Sequence, residues 1–152
     1  MDGMIESPLP RTAEVTRTRA ASVALHSVLI AVYCGVGETL LRAAMLLERP
    51  DADIGGLLPG LGLRAAIYLT VVVLAFRMAA GSAWARWVLA GGLGTVGLLS
   101  LLVEPVRAVL TAPHISELTM GWTTESVVVG FLRAVHILAV LVALPALARA
   151  GR

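Results

Sequence analysis

The chain has 152 residues, 58% of them hydrophobic, with a mean hydropathy of +0.87 and a formal net charge of +2. The length suits one domain, and the hydropathy lies far outside the soluble range, so lipid is the expected solvent for most side chains. All 12 basic residues are scattered arginines, which argues against a nucleic-acid-binding surface. The single Cys34 argues against an intrachain disulfide, a thiolate metal cluster and a redox pair.

Four apolar stretches are long enough to cross a bilayer core, which needs about 20 helical residues. Unpaired backbone groups are costly in lipid and the stretches lack strand-like alternation, so each is predicted to be an α-helix. The sequence therefore predicts an all-α, integral membrane, antiparallel four-helix transmembrane bundle. A polar cytoplasmic tail, 1–18, precedes a single transmembrane domain, 19–150, whose predicted helices cover residues 20–47, 57–80, 84–110 and 126–148.

The arginines are unequally divided between the two ends of this bundle, which predicts its orientation. This division favours both termini in the cytoplasm. Because Ala, Gly, Val, Leu and Arg are abundant, as in GC-rich genomes, we also expect a multi-pass protein of a bacterial cytoplasmic membrane. The arginines then expected inside are Arg11, Arg17, Arg19, Arg77, Arg86, Arg149 and Arg152. Those then expected outside are Arg42, Arg49, Arg64 and Arg107. The longer connection 111–125 contains Trp122 and is either an interfacial loop or a lid.

Each predicted helix carries two polar residues spaced three or four positions apart. The pairs are Glu38 with Arg42, Arg64 with Tyr68, Glu104 with Arg107, and Arg133 with His136. Such spacings put each pair on one helix face, and alternating helix directions bring all four pairs into the outer half of the bundle. Charges inside a span are costly unless they face a cavity or a partner. The sequence therefore predicts one converging polar site.

Arg133 is the residue that most needs a partner, because it lies several residues inside the fourth span. A carboxylate, a carbonyl or an anionic ligand must lie nearby. Glu38 or Glu104 could pair with Arg133 or Arg64 and fix helix register, while Arg42 and Arg107 extend towards the outer interface. This structural interpretation and a ligand-binding one are both compatible with the sequence.

Binding is the first function compatible with such a site. A head group of an amphipathic or anionic lipophilic ligand, a membrane lipid or a partner subunit would meet the polar side chains, while the apolar lower bundle suits a lipid tail. The predicted ligand-binding residues are Arg42, Arg64, Tyr68, Arg107 and Arg133.

Chemistry or transport at the same site are the alternatives. A membrane-embedded acid/base enzyme of the isomerase, cyclase or epoxide-opening type would use Glu38, Glu104 and His136 as catalytic residues on a lipophilic substrate. A proton-coupled transporter would relay protons through the same three side chains.

No metal or cofactor is predicted. His26 and His136 could ligate haem as in four-helix membrane cytochromes, but His26 differs from Glu38 in helical phase and from His136 in depth. The Glu-x-x-His spacing of a metal site does not occur either. The glycines between residues 91 and 97 offer a close-packing face, so a homo-oligomer or a partner membrane subunit is plausible. Size and helix count resemble those of membrane-associated eicosanoid and glutathione metabolism proteins and of DoxX-like proteins. Their motifs are missing, so the sequence assigns no family.

Overall fold

The computed structural model describes residues 11–50, 53–111 and 123–151, and every regular element in these ranges is helical. The third apolar segment is one continuous helix with a π-helical turn in its middle. The described elements are therefore five α-helices and this turn. They are α1 (Arg11–Leu47), α2 (Ile54–Ala79), α3 (Ala83–Gly92), the π turn (Leu93–Gly97), α4 (Leu98–Thr111) and α5 (Thr124–Arg149).

Four of the resulting segments are long and apolar enough to cross a membrane. They comprise 34, 26, 21 and 26 residues, against the roughly 20 that a bilayer core requires. The predicted all-α architecture is therefore confirmed, with four helices long and apolar enough to span a membrane. The segments are Glu14–Leu47, Ile54–Ala79, Ala83–Val103 and Thr124–Arg149.

The helices are longer than their apolar cores, so their ends differ from the predicted ones. α1 begins at Arg11 rather than at residue 20, and residues 11–18 of the predicted tail are helical. Hydropathy marks where a helix enters lipid, whereas Arg and Glu continue the same helix beyond it because both are good helix formers. Residues 1–10 lie outside the described ranges.

The start of α5 has a local chemical cause. Thr123 Oγ1 accepts from the amide of Ser126 at 3.2 Å, and Ser126 Oγ accepts from the amide of Thr123 at 3.0 Å. This reciprocal pair satisfies two amides that the first helical turn leaves open. It begins the helix at Thr124, two residues before the predicted start.

The packed core lies in the half of the molecule that contains the start of α1 and the end of α5. Small residues dominate it, which allows helices to approach closely in a membrane protein. Arg17 Nε also donates to the carbonyl oxygen of Ala150 at 3.2 Å, joining α1 to the end of α5. The buried side chains include Ala24, Val28, Ala75, Met78, Ala85, Leu89, Val140, Ala143 and Leu147.

The other half of the molecule is looser and contains the polar residues. α1 packs mainly against α5 and next against α2, whereas α4 packs against α5 and not against α1 or α2 over the described ranges. Leu101 is buried, while Leu99, Val103 and Val106 on the same helix are exposed. α4 is therefore the most peripheral of the described helices.

The glycine-rich stretch of the third span packs only in part as expected. A Cβ on Gly94 would lie 3.3 Å from Leu144 Cδ2 on α5, so this glycine does permit a close approach. Gly91 and Gly92 face open space instead.

Candidate functional site

Glu38 on α1 is the centre of the polar site. The residue is buried, with 8% of its surface exposed. Its Oε1 atom accepts from Arg133 Nη2 on α5 and lies 3.2 Å from Arg42 Nε, one turn further along α1. The carboxylate therefore joins two helices whose paired residues, Glu38 and Arg133, are 95 positions apart in sequence.

The geometry answers why an arginine lies inside the fourth span. Of the partners that the sequence allows for Arg133, the protein supplies the Glu38 carboxylate. A buried carboxylate without a counter-charge would cost several kcal/mol, and an arginine in its planar, multidentate form is the favoured counter-ion for a buried carboxylate. Arg42 follows Glu38 by four residues, so formation of the helix alone brings its guanidinium group to the same carboxylate.

A hydroxyl network adjoins this ion pair on the α2 side. Thr39 Oγ1 donates to the carbonyl oxygen of Gly35 at 2.8 Å. It also lies 3.1 Å from the Tyr68 hydroxyl and accepts from Arg64 Nη1 at 3.5 Å. A threonine hydroxyl has one proton, and Gly35 receives it, so Tyr68 must donate to Thr39. Arg64 and Tyr68 are thus held beside Glu38 through its neighbour Thr39.

Gly35 forms a notch between two aromatic rings, one turn from Glu38. A Cβ at this position would lie 3.0 Å from His136 Cε1 on α5 and 3.0 Å from both Cε1 and Oη of Tyr68 on α2. Only the missing side chain lets both rings approach the backbone of α1 this closely. His136 Nδ1 is buried there and has no hydrogen-bond partner among the described residues.

Thr39 and Gly35 are the site residues that the sequence prediction missed. Thr39 directly follows Glu38 and precedes Arg42 by three positions, so a search for the polar neighbours of the intramembrane charges could have found it. Gly35 carries no such signal. Its role depends on Tyr68 and His136 arriving from two other helices, which no local pattern encodes.

Of the four predicted pairs, the structure brings together those of α1, α2 and α5. Arg107 is exposed on α4, which packs against α5 alone among these three helices. Glu104 is on the same helix, but its side chain lies outside the described residues. The connection 111–125, including Trp122, also falls outside them except for its ends.

The two histidines considered for haem lie at different places. His26 is exposed on α1, and its Nδ1 atom is 2.7 Å from the carbonyl oxygen of Ser22 in the same helix. His136 meets α1 at Gly35, nine residues further along, which is about 13 Å of helical rise. No group of three His, Cys, Asp or Glu side chains in the described part of the chain could hold a metal ion.

Fold and site together define the class: a protein with four apolar helices long enough to span a membrane and a buried Glu–Arg ion pair between two of them. Comparisons with protein-family models, with curated proteins and with solved structures each find no match. The functional conclusion therefore depends on the geometry of the site alone.

Proposed function

We propose that this is a small multi-pass protein of the bacterial cytoplasmic membrane that binds a lipophilic or amphipathic anion in the pocket around Glu38. The arginines hold the anionic group, and the apolar surroundings hold the rest of the ligand. A membrane lipid or another lipophilic small molecule fits this description. An acidic side chain of a partner membrane subunit would satisfy the same charges.

The observation that carries the proposal is the cluster of arginines around Glu38. One carboxylate contacts Arg42 and Arg133, and Arg64 reaches the adjacent Thr39. Two guanidinium groups therefore contact one carboxylate, and a third reaches the neighbouring residue. An anionic group that enters the site can accept from several guanidinium donors, which offsets the cost of placing it inside a membrane span.

The proposed orientation is an antiparallel bundle with both termini in the cytoplasm. Two contacts between α1 and α5 support it: Arg17 meets Ala150 near one end, and Glu38 meets Arg133 towards the other. The excess of arginines at the end where both termini lie supports the cytoplasmic location of that end. Glu38 then lies in the outer half of the membrane.

The test is whether an anionic ligand accompanies the purified protein. Native mass spectrometry of protein extracted in an uncharged detergent should detect an anionic adduct on the wild type. Arg64→Gln should lose it, because this exposed arginine contributes charge to the site and is held there by a long hydrogen bond to Thr39. Arg77→Gln is the matched control, since Arg77 is an equally exposed arginine at the other end of α2.

Two results would reject binding. One is a wild-type protein that carries no adduct, together with an Arg133→Ala variant that differs only in thermal stability. In that case the charges fix helix register and do nothing else. The other is equal loss of adduct in Arg64→Gln and Arg77→Gln, which would assign the anion to the general surface.

An acid/base enzyme is the second candidate, and one observation favours it. His136 Nδ1 is buried without a hydrogen-bond partner in the described part of the chain, beside the Tyr68 ring. Such an atom can take or give a proton on a bound lipophilic substrate. If turnover of such a substrate is found, His136→Phe should abolish it while ligand binding persists.

A further inference from the structure

The polar site has two levels along α1. The first is the ion pair at Glu38. The second is the notch at Gly35, three residues away and about 4.5 Å deeper towards the packed core. His136 Cε1 and the Tyr68 hydroxyl oxygen both lie 3.0 Å from the Cβ position of Gly35, so these two atoms are at most about 6 Å apart and one small polar group can contact both side chains.

Both side chains at the second level have hydrogen-bonding capacity to offer. The Tyr68 proton is directed to Thr39, which leaves the phenolic oxygen able to accept. His136 Nδ1 is buried and is not hydrogen-bonded by any residue in the described ranges. A buried polar atom of this kind is costly unless something satisfies it.

This second level is also reachable from the lipid. α2 packs against α1 and, at the hairpin, against α3, but over the described residues it does not pack against α5. Tyr68 and His136 are each only half-buried. A ligand dissolved in the bilayer can therefore approach the two rings between α2 and α5, and it reaches the buried Nδ1 atom once the His136 ring turns.

We infer that the second level is a hydrogen-bonding subsite for a hydroxyl group, and that the ligand is a hydroxylated lipophilic acid. The inference rests on the proposed function, because the acid group occupies the arginines of the first level. A hydroxyl both donates and accepts, so it can donate to the Tyr68 oxygen and accept from Nδ1 of the His136 tautomer that carries its proton there, whereas a carbonyl only accepts. A rise of about 4.5 Å places the hydroxyl a few carbon atoms from the acid group.

The test uses two acids that differ by one hydroxyl, 3-hydroxytetradecanoate and tetradecanoate. Their dissociation constants are measured for the wild type and for His136→Phe in the same concentration of an uncharged detergent. Partition of each acid into micelles is the same for both proteins, so it cancels when the hydroxyl preference of the two proteins is compared. His136→Phe keeps a ring in the notch and removes its nitrogens.

We expect the wild type to prefer the hydroxylated acid by about fivefold more than His136→Phe does, the value of one hydrogen bond. Binding of tetradecanoate should be unchanged in this variant. Tyr68→Phe should also reduce the preference, which keeps the test decisive if His136→Phe does not fold. Equal preference in the wild type and in the variants would overturn the inference.

Failure of the proposed function would look different. Arg64→Gln should weaken both acids alike and leave the hydroxyl preference intact, because it acts on the first level only. If neither acid binds the wild type, or if Arg64→Gln binds both as the wild type does, anion binding itself is rejected. If both acids bind through Arg64 with no effect of His136 or Tyr68, only the hydroxyl subsite is rejected.

Discussion

Arg133 on α5 and Glu38 on α1 form an ion pair between the last and the first of the described helices. The Glu38 carboxylate is buried and the Arg133 side chain is 17% exposed, so the pair is poorly screened by solvent. Breaking such a pair by removing one partner is much more costly than losing a surface contact.

Glu38→Gln should therefore lower the free energy of unfolding by about 3 kcal/mol, because two guanidinium groups then face a neutral amide. Glu125→Gln, in the exposed first turn of α5, is the control and should change it by less than about 0.5 kcal/mol. Unfolding can be followed in detergent with a thiol-reactive dye, since Cys34 is buried. Equal stability of the two variants would contradict a structural role for the pair.

Two glycines two residues apart on α1 should respond oppositely to alanine. Gly35→Ala forces a methyl group against the rings of His136 and Tyr68 at 3.0 Å and should destabilise the protein by about 1–3 kcal/mol. In Gly37→Ala the methyl group would lie 3.6 Å from Leu132 Cδ1, an ordinary contact, and helix propensity improves by up to about 1 kcal/mol. Similar unfolding temperatures for the two variants would show that the notch is not tightly closed.

Thr39→Val should destabilise the protein by about 1–2 kcal/mol, because the Tyr68 hydroxyl and Arg64 lose their shared acceptor. Thr39→Ser keeps the hydroxyl and should restore most of this stability. Thr70→Val is the matched control on α2: its hydroxyl is exposed and bonds only Ala66 of its own helix. A loss in Thr70→Val as large as in Thr39→Val would mean that the network contributes nothing beyond helix propensity.

The contact between Arg17 and Ala150 should contribute at the opposite end of the bundle. Arg17→Ala removes a cation and a donor from the C-terminal carbonyls of α5 and should cost about 0.5 kcal/mol, since the side chain is exposed. Arg19→Ala is the comparison, because it removes an exposed arginine two residues further along α1, on roughly the opposite face of the helix. Denaturant midpoints that coincide for the two variants would count against the contact.

The proposed orientation predicts which connections a membrane-impermeant thiol reagent reaches in intact cells. In a Cys34→Ser background, a cysteine at Arg49, between α1 and α2, should be labelled from outside. A cysteine at Ser82, between α2 and α3, should be labelled only after the cells are opened. The reverse pattern would place both termini outside.

The sequence predicted the membrane helices well because their signal is local. Each span is a run of apolar residues that must bury its own backbone hydrogen bonds, so length and hydropathy define it. It also predicted that Arg133 needs a partner and included Glu38 among the candidates. That Glu38 meets Arg133 depends on how α1 packs against α5, which no local pattern specifies.

Side chains from three of the four predicted pairs, those on α1, α2 and α5, lie together in the described structure. Spacing along a helix places Glu38 and Arg42 on one face, but it does not say which neighbour that face meets. The π turn in the third span has no hydropathy signature either, because Gly, Thr and Val continue the apolar run through it. The predicted helices were shorter than the observed ones by up to nine residues at one end, because polar residues extend a helix beyond the lipid.

The π turn at Leu93–Gly97 also determines which side of the third span faces α5. Ala85, Leu89, Leu93 and Leu101 are all buried, yet sixteen residues of regular α-helix would rotate Leu101 by about 160° from Ala85. A π turn contributes one extra residue to a helical repeat and reduces that angle to about 60°. The turn therefore acts as a one-residue register correction: deleting Val96 should convert it to regular α-helix and leave Leu101 at the same angle of about 60° from Ala85.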